Sequence, residues 1–285
     1  MPRIMLESTA VAGIPVLTMR PAVSAGERCP VVFYIPGFTG VKEHGLALGY
    51  QVAQQGCCFV ALDPLHHGER RDETLEHAAA GIDYPPETGL DVGLLFFEII
   101  RQCVFDIATL IPFYAGDPAL DSTRCGCTGP SMGGYASFLA FATLPEILAA
   151  VPMIGVPCFS RRWSDLLSEC SLSNAEWAET LARMQDRTAL HSARVAQMDP
   201  APLLAGCAPR ALFVMNNDFD TDQPKLYSIE TVRSLQPAWA DRPERLRLGI
   251  YPAAHTVTPQ MERDAADWFA RFLLQHPPTE RTQYP

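Results

Sequence analysis

A single serine, Ser131, stands among glycines in the run Gly129-Pro130-Ser131-Met132-Gly133-Gly134. The run follows an apolar stretch and precedes a helical pattern. A strand that turns sharply into a helix needs small residues on both sides of the turn, because larger side chains would collide. The residue at the apex is then held in strained geometry with its side chain exposed. A serine at that apex presents its hydroxyl at a helix N-terminus, which is the nucleophile-elbow spacing G-x-S-x-G. A hydroxyl is a weak nucleophile until an imidazole takes its proton, and the imidazole needs a carboxylate to hold its tautomer. Of the seven histidines, His255 lies between the last apolar run and the last helical pattern. An acidic loop earlier in the chain, Asn216 to Pro224, offers Asp218, Asp220 and Asp222 as the carboxylate. Together these residues spell covalent chemistry at a serine.

The elements that must position them are readable as an alternation. Ile14–Met19, Pro30–Ile35, Cys57–Asp63, Leu148–Val156, Arg210–Asn216 and Arg245–Tyr251 are short apolar runs of strand length. A further strand, through Cys125 and Cys127, leads into the elbow. Helical patterns cover Leu48–Gly56, Phe96–Gly116, the segment after Ser131, and Pro259–His276. Apolar strands alternating with helices predict an α/β fold, a mostly parallel central sheet covered on both faces. In such sheets the ligand site lies beyond the carboxyl ends of the strands, where Ser131, the acidic loop and His255 all fall. Two stretches break the alternation. The polar segment Glu69–Gly93 reads as a long loop near the site. Residues 157–207 read as several short helices inserted between two strands, which predicts a small helical cap within a single domain spanning 1–285. The tail, 276–285, reads as a frayed end.

Composition narrows the function. The chain has 285 residues, 48% of them hydrophobic, and a formal net charge of −10. With no run of Lys or Arg, this argues against nucleic acid and anionic membrane surfaces as partners. The start of the chain has no apolar secretory segment, and no apolar run approaches a membrane span. The nine cysteines lie mostly in apolar runs and read as reduced, buried thiols, which points to the cytoplasm. The adjacent pair His66 and His67 follows a strand, but no carboxylate or thiol spacing completes a zinc site. No metal and no cofactor are expected, and His67-Gly68 is expected to shape the loop below the pocket.

The motifs resemble the α/β hydrolases over almost the whole chain. Asp121–Gly134 is similar to that superfamily's D-x-x-R-(strand)-G-x-S-M-G-G segment. Asn216–Pro224 resembles its acid loop and Ala253–Gln260 its histidine loop, and the chain order Ser, Asp, His matches. Val31–His44 followed by Phe59–Arg70 is similar to small bacterial esterases of the dienelactone-hydrolase and peptidase-like branch. The resemblance implies a serine hydrolase with Ser131 as nucleophile, His255 as base and Asp220 as orienting acid. It also implies an oxyanion hole made by the N–H of Met132 and that of Phe38, with Thr39 as second choice. Thr39, Phe96 and Trp163 are expected to bind substrate, with Phe97 and Trp177 as further aromatic candidates. Two positions depart from the pattern: Pro36 stands where histidine is usual, and Asn217 where glycine is usual, which asparagine can satisfy at positive φ. The implied partner is a small-molecule ester. A thioester, acyl transfer or cyclisation with the same residues is the alternative, and a non-catalytic binding protein the more distant one.

Overall fold

The computed structural model describes residues 3–22, 24, 26–80 and 84–274. Its strands are Ile4–Val11 (β1), Ile14–Pro21 (β2), Cys29–Tyr34 (β3), Cys58–Leu62 (β4), Leu120–Pro130 (β5), Ile147–Met153 (β6), Ala211–Asn217 (β7) and Leu246–Tyr251 (β8). Its α-helices are Leu46–Gln54 (α1), Glu76–Ala79 (α2), Pro86–Ala115 (α3), Met132–Thr143 (α4), Phe159–Ser173 (α5), Ala175–Arg183 (α6), Gln185–Gln197 (α7), Lys225–Leu235 (α8) and Pro259–Leu273 (α9). The expected frayed end, 276–285, lies outside the described residues.

Among the described residues the strands form one eight-stranded sheet in the order β1-β2-β4-β3-β5-β6-β7-β8. From β4 to β8 all neighbours are parallel, and β1 and β2 are the antiparallel end. Successive side chains of a strand point to opposite faces, and β3 shows the consequence. Val31 and Phe33 enter one core with residues of α3 and α4, such as Ile100 and Phe138. Val32 and Tyr34 enter the other with residues of α1 and α9, such as Val52 and Phe269. A fully apolar strand is therefore what a two-faced core requires.

The N-terminal hairpin was not expected. β1 is mostly exposed, so its sequence lacks an apolar run. Its register with β2 closes through Ala12 and Gly13, both at positive φ (51° and 78°), as a tight hairpin turn of the primed type demands.

The loop expected over 69–93 is only partly one. It contains short helical turns at Gly68–Arg70 and Glu73–Leu75 and the short α2, and then α3 begins at Pro86 rather than near Phe96. Proline suits the first turn of a helix, where its missing N–H costs nothing. Gly89 and Gly93 look like breakers in the sequence, yet each makes room for an indole. A Cβ on Gly89 would stand 2.9 Å from the Trp177 ring, and one on Gly93 would stand 2.8 Å from the Trp163 ring. These rings come from α6 and α5. Between β6 and β7 lies a run of helices, α5 to α7, which packs on the first turns of α3.

Candidate active site

The elbow is built by close backbone approach. Ser131 takes φ 52° and ψ −116° between β5 and α4, and its N–H donates to the Met153 carbonyl of β6 (2.9 Å). The carbonyl of Ile35, just beyond β3, wedges between the two flanking glycines. A Cβ on Gly129 would come within 2.0 Å of that oxygen, and one on Gly133 within 1.9 Å. A Cβ on Gly134 would meet the Met153 carbonyl at 2.5 Å. These are backbone atoms that cannot swing aside, so each glycine of the motif has a steric cause.

The sheet order sets what flanks the serine. On one side lie the carboxyl ends of β3 and β4, and on the other those of β7 and β8. Asp220, past β7, has a fully buried carboxylate. Its Oδ1 accepts from the N–H groups of Asp222 (3.0 Å) and Gln223 (2.9 Å), and its Oδ2 lies 2.8 Å from His255 Nδ1. The ring of His255 remains partly exposed. Asp218 is engaged elsewhere, paired with Lys225. The Asp222 carboxylate lies within 4.8 Å of the Asp220 carboxylate and the His255 ring without a hydrogen bond to that ring among the described residues, and its backbone carbonyl accepts from Arg162 (3.2 Å). Among the described residues no hydrogen bond joins the Ser131 hydroxyl to His255, and in free enzymes such contacts are often loose.

Asn217 plays a part that the sequence did not reveal. It ends β7 without a positive φ, so it does not substitute for a turn glycine. Its buried side-chain amide instead donates to the carbonyls of Ala254 and Thr256 (2.7 Å to the latter). It thereby ties the acidic loop to the loop of His255. Backbone bonds from Asp218 N–H to the Tyr251 carbonyl (2.8 Å) and from Phe219 N–H to the Ala253 carbonyl (3.0 Å) reinforce the tie.

On the other side, Gly37 packs against Ser131: a Cβ on it would be 3.7 Å from the serine Cβ. The turn Gly37–Gly40 closes by Gly40 N–H to the Gly37 carbonyl (2.9 Å), with Thr39 at φ 62°. The Thr39 N–H donates to His67 Nε2 (2.9 Å), whereas the Phe38 N–H has no acceptor among the described residues. Met132 begins α4, where N–H groups lack an intrahelical partner. Of the two donors considered for the first loop, only that of Phe38 is thus uncommitted.

The aromatic candidates divide. Phe38 meets Phe96 edge-on at 5.5 Å between ring centroids, and Phe96 meets Tyr135 of α4 at 5.4 Å. Phe38 and Phe96 are partly buried and Tyr135 is buried behind them, which makes a wall beside the elbow. Trp163 lies behind it, against Phe97 (6.0 Å), only 4% exposed, with its N–H bound to the Ser192 hydroxyl. Thr39 is exposed on its turn. His66 turns away to Asp72 (2.8 Å), so the two adjacent histidines do not converge. Asp220, Asp222 and His255 bring three potential metal-ligand atoms within 4.8 Å of one another. The Asp220 oxygens are already taken by the His255 ring and two N–H groups, a donor set that serves a hydrogen-bonded pair rather than a cation.

A mostly parallel sheet with an elbow serine after β5, an acid after β7 and a histidine after β8 is the α/β-hydrolase fold, and this chain has it. The relatives are named accordingly. The chain is 25% identical over 271 residues, covering 95% of it and all of the relative, to a Bacillus subtilis (strain 168) protein named "Putative esterase YitV". Its structure is similar to that of TT1662 from Thermus thermophilus (TM-score 0.63, 20% identity, covering 96% of this chain and 100% of that one). It is also similar to acetyl xylan esterase 1 from Thermoanaerobacterium sp. JW/SL YS485 (TM-score 0.64, 18% identity, 95% and 88% covered). No family model matches the chain. No helix of the described residues is long and apolar enough to cross a membrane.

Proposed function

We propose that this protein is a serine hydrolase that cleaves a carboxylic ester of a small molecule through an acyl-enzyme. The observation that carries the reading is the buried Asp220 carboxylate on His255 Nδ1, at the same sheet edge as the strained elbow serine. The esterase relatives support the same class of substrate.

Ser131 Oγ attacks the ester carbonyl while His255 Nε2 takes its proton. Asp220 keeps the other ring nitrogen protonated and stabilises the imidazolium that forms. The oxyanion of the tetrahedral intermediate is held by the N–H groups of Met132 and Phe38. His255 then returns the proton to the leaving alcohol, and a water repeats the sequence to release the acid. The exposed parts of Phe38 and Phe96, backed by the buried Tyr135, receive the apolar part of the substrate. Trp163 acts through Phe97 rather than by touching it. Helices α5 to α7 form a cap, anchored to the acidic loop through the Arg162 guanidinium. The cysteines form no disulfide among the described residues, which suits a reducing compartment such as the cytoplasm.

A fluorophosphonate probe tests the reading directly. We expect it to label Ser131 and to block hydrolysis of p-nitrophenyl acetate. An unlabelled serine in active protein would end it.

A further inference from the structure

The proposed mechanism leaves one buried ionisable cluster unused, and that cluster lies against the oxyanion loop. The turn Gly37–Gly40 needs positive φ at its third residue, and the residue there is Thr39, at 62°. A β-branched residue resists that conformation, so the turn must be held from outside. The hold is the bond from Thr39 N–H to His67 Nε2 (2.9 Å). His67 is 2% exposed. Its Nδ1 lies 2.8 Å from the Leu65 carbonyl, so Nδ1 is the protonated nitrogen and Nε2 the acceptor. The ring also stacks edge-on against Phe38, 5.7 Å between centroids.

The neighbours of His67 are locked as well. The Asp63 carboxylate accepts from Lys42 N–H (2.9 Å), Lys42 Nζ (2.9 Å) and Glu69 N–H (3.0 Å), which clamps the far end of the same loop. Gly68 passes so close that a Cβ on it would overlap that carboxylate. Arg70 reaches the Asp63 carbonyl and the buried Asp106 of α3. Burial opposes charge on Lys42, but its bonds to Glu69, Asp63 and Glu43 outweigh this and keep the ammonium charged.

We propose that His67 is a positioning residue of the oxyanion hole: its neutral Nε2 fixes the turn that carries the Phe38 N–H. The proposal rests on the serine-hydrolase reading above. The charged and titratable groups around the ring are Asp63, already matched by Lys42, together with Arg70 and His66. Burial first, and then the two basic neighbours, hold the His67 pKa below the ordinary histidine value, against the pull of the Leu65 carbonyl and Asp63. Protonation would turn Nε2 from acceptor into donor, facing another donor, and release Thr39. Protonating His67 would weaken turnover without abolishing it, in addition to any loss of His255 as base. The acid limb of log kcat/KM should therefore run steeper than a slope of one across the stretch where His67 titrates.

The test compares wild type, His67→Phe and His67→Gln on p-nitrophenyl acetate across the acid range, with Ser131 labelling and thermal melting measured alongside. His67→Phe keeps a flat ring against Phe38 but no acceptor. It should lower kcat by about tenfold or more with KM little changed, less than the roughly 10²–10³-fold lost with an oxyanion donor outright. His67→Gln can accept through its amide oxygen and should keep more of kcat. In both variants that steeper stretch should disappear and leave a slope of one throughout the acid limb. Should His67→Phe fail to fold, the slope of His67→Gln decides. A folded, labelled His67→Phe with wild-type kcat, or an acid slope unchanged in His67→Gln, overturns the proposal alone. Failure of wild-type Ser131 to label overturns the hydrolase reading, and this proposal with it.

Discussion

Two sets of glycines organise this molecule, and they differ in what they face. Gly129, Gly133 and Gly134 at the elbow face backbone carbonyls of β3 and β6. Gly89 and Gly93 at the start of α3 face the indoles of Trp177 and Trp163. The first arrangement fixes main chain against main chain, and nothing in it can rotate out of the way. The second seats side chains of the inserted helices in a groove, where rings can shift by rotamer changes. The contrast matches the demands on each region. On the proposed function, oxyanion stabilisation needs donors preorganised to a fraction of an ångström, whereas the inserted helices, acting as a cap, would have to cover the site and admit a substrate.

The largest effects should come from the rigid side. Ser131→Ala should abolish ester hydrolysis in a protein that melts like wild type, because alanine fits the elbow as easily as serine. Asp220→Asn should keep the fold and lower kcat by up to roughly 10⁴, through loss of the preferred imidazole tautomer. Asp218→Asn, whose carboxylate pairs with Lys225, should cost little. A crippled Asp218→Asn beside an active Asp220→Asn, measured by kcat/KM, would reverse the assignment of the acid.

Next come two chemically identical substitutions, one in each region. Gly133→Ala places a methyl 1.9 Å from the Ile35 carbonyl and must push away the chain that leads into the Gly37–Gly40 turn. We expect a loss of about 3 kcal/mol or more, with kcat falling in whatever folds. Gly93→Ala crowds the Trp163 ring at 2.8 Å, but alanine gains up to about 1 kcal/mol of helix propensity. Its net cost should stay near 1 kcal/mol, with kcat preserved. Equal losses in denaturant melts would erase the distinction between backbone and side-chain packing.

The same contrast explains what the sequence disclosed. The elbow was legible because three glycines around one serine have few other uses, and strands such as β3, β4 and β7 because the buried strands of a two-faced core are apolar nearly throughout. Helices α2 and α8 carry no such signal. The exposed strand β1 left no apolar run to see. The first turns of α3 read as loop in the sequence because the segment is polar and carries Pro85, Pro86 and Gly89. Gly89 and Gly93 show their purpose only beside Trp177 and Trp163, some 70–90 residues away in sequence. Asn217 was read as a stand-in for a turn glycine, since its bonds to the His255 loop are equally non-local. The thread from His67 to Thr39 joins two motifs that the sequence displays only separately.

The smallest effects should come from the ion pairs that rim the insertion. Glu87 of α3 pairs with Arg183 of α6, and Asp91 pairs with Arg187 and, at 3.6 Å, with His191 of α7. The Arg183–Glu87 and Arg187–Asp91 side chains are roughly half exposed, so water and salt screen their attraction and holding long side chains in place costs entropy. Arg183→Ala and Arg187→Ala should each lower stability by less than about 1 kcal/mol. The difference from wild type should shrink further at high salt, where the pairs are already screened. Neither change touches the elbow, the acidic loop or the Gly37–Gly40 turn, so kcat should hold and any kinetic change should fall on KM. Melting curves at low and high salt, with kcat measured on the same samples, decide it. A drop in kcat comparable to that of Gly133→Ala would mean that the insertion is coupled to the oxyanion loop as rigidly as the elbow is.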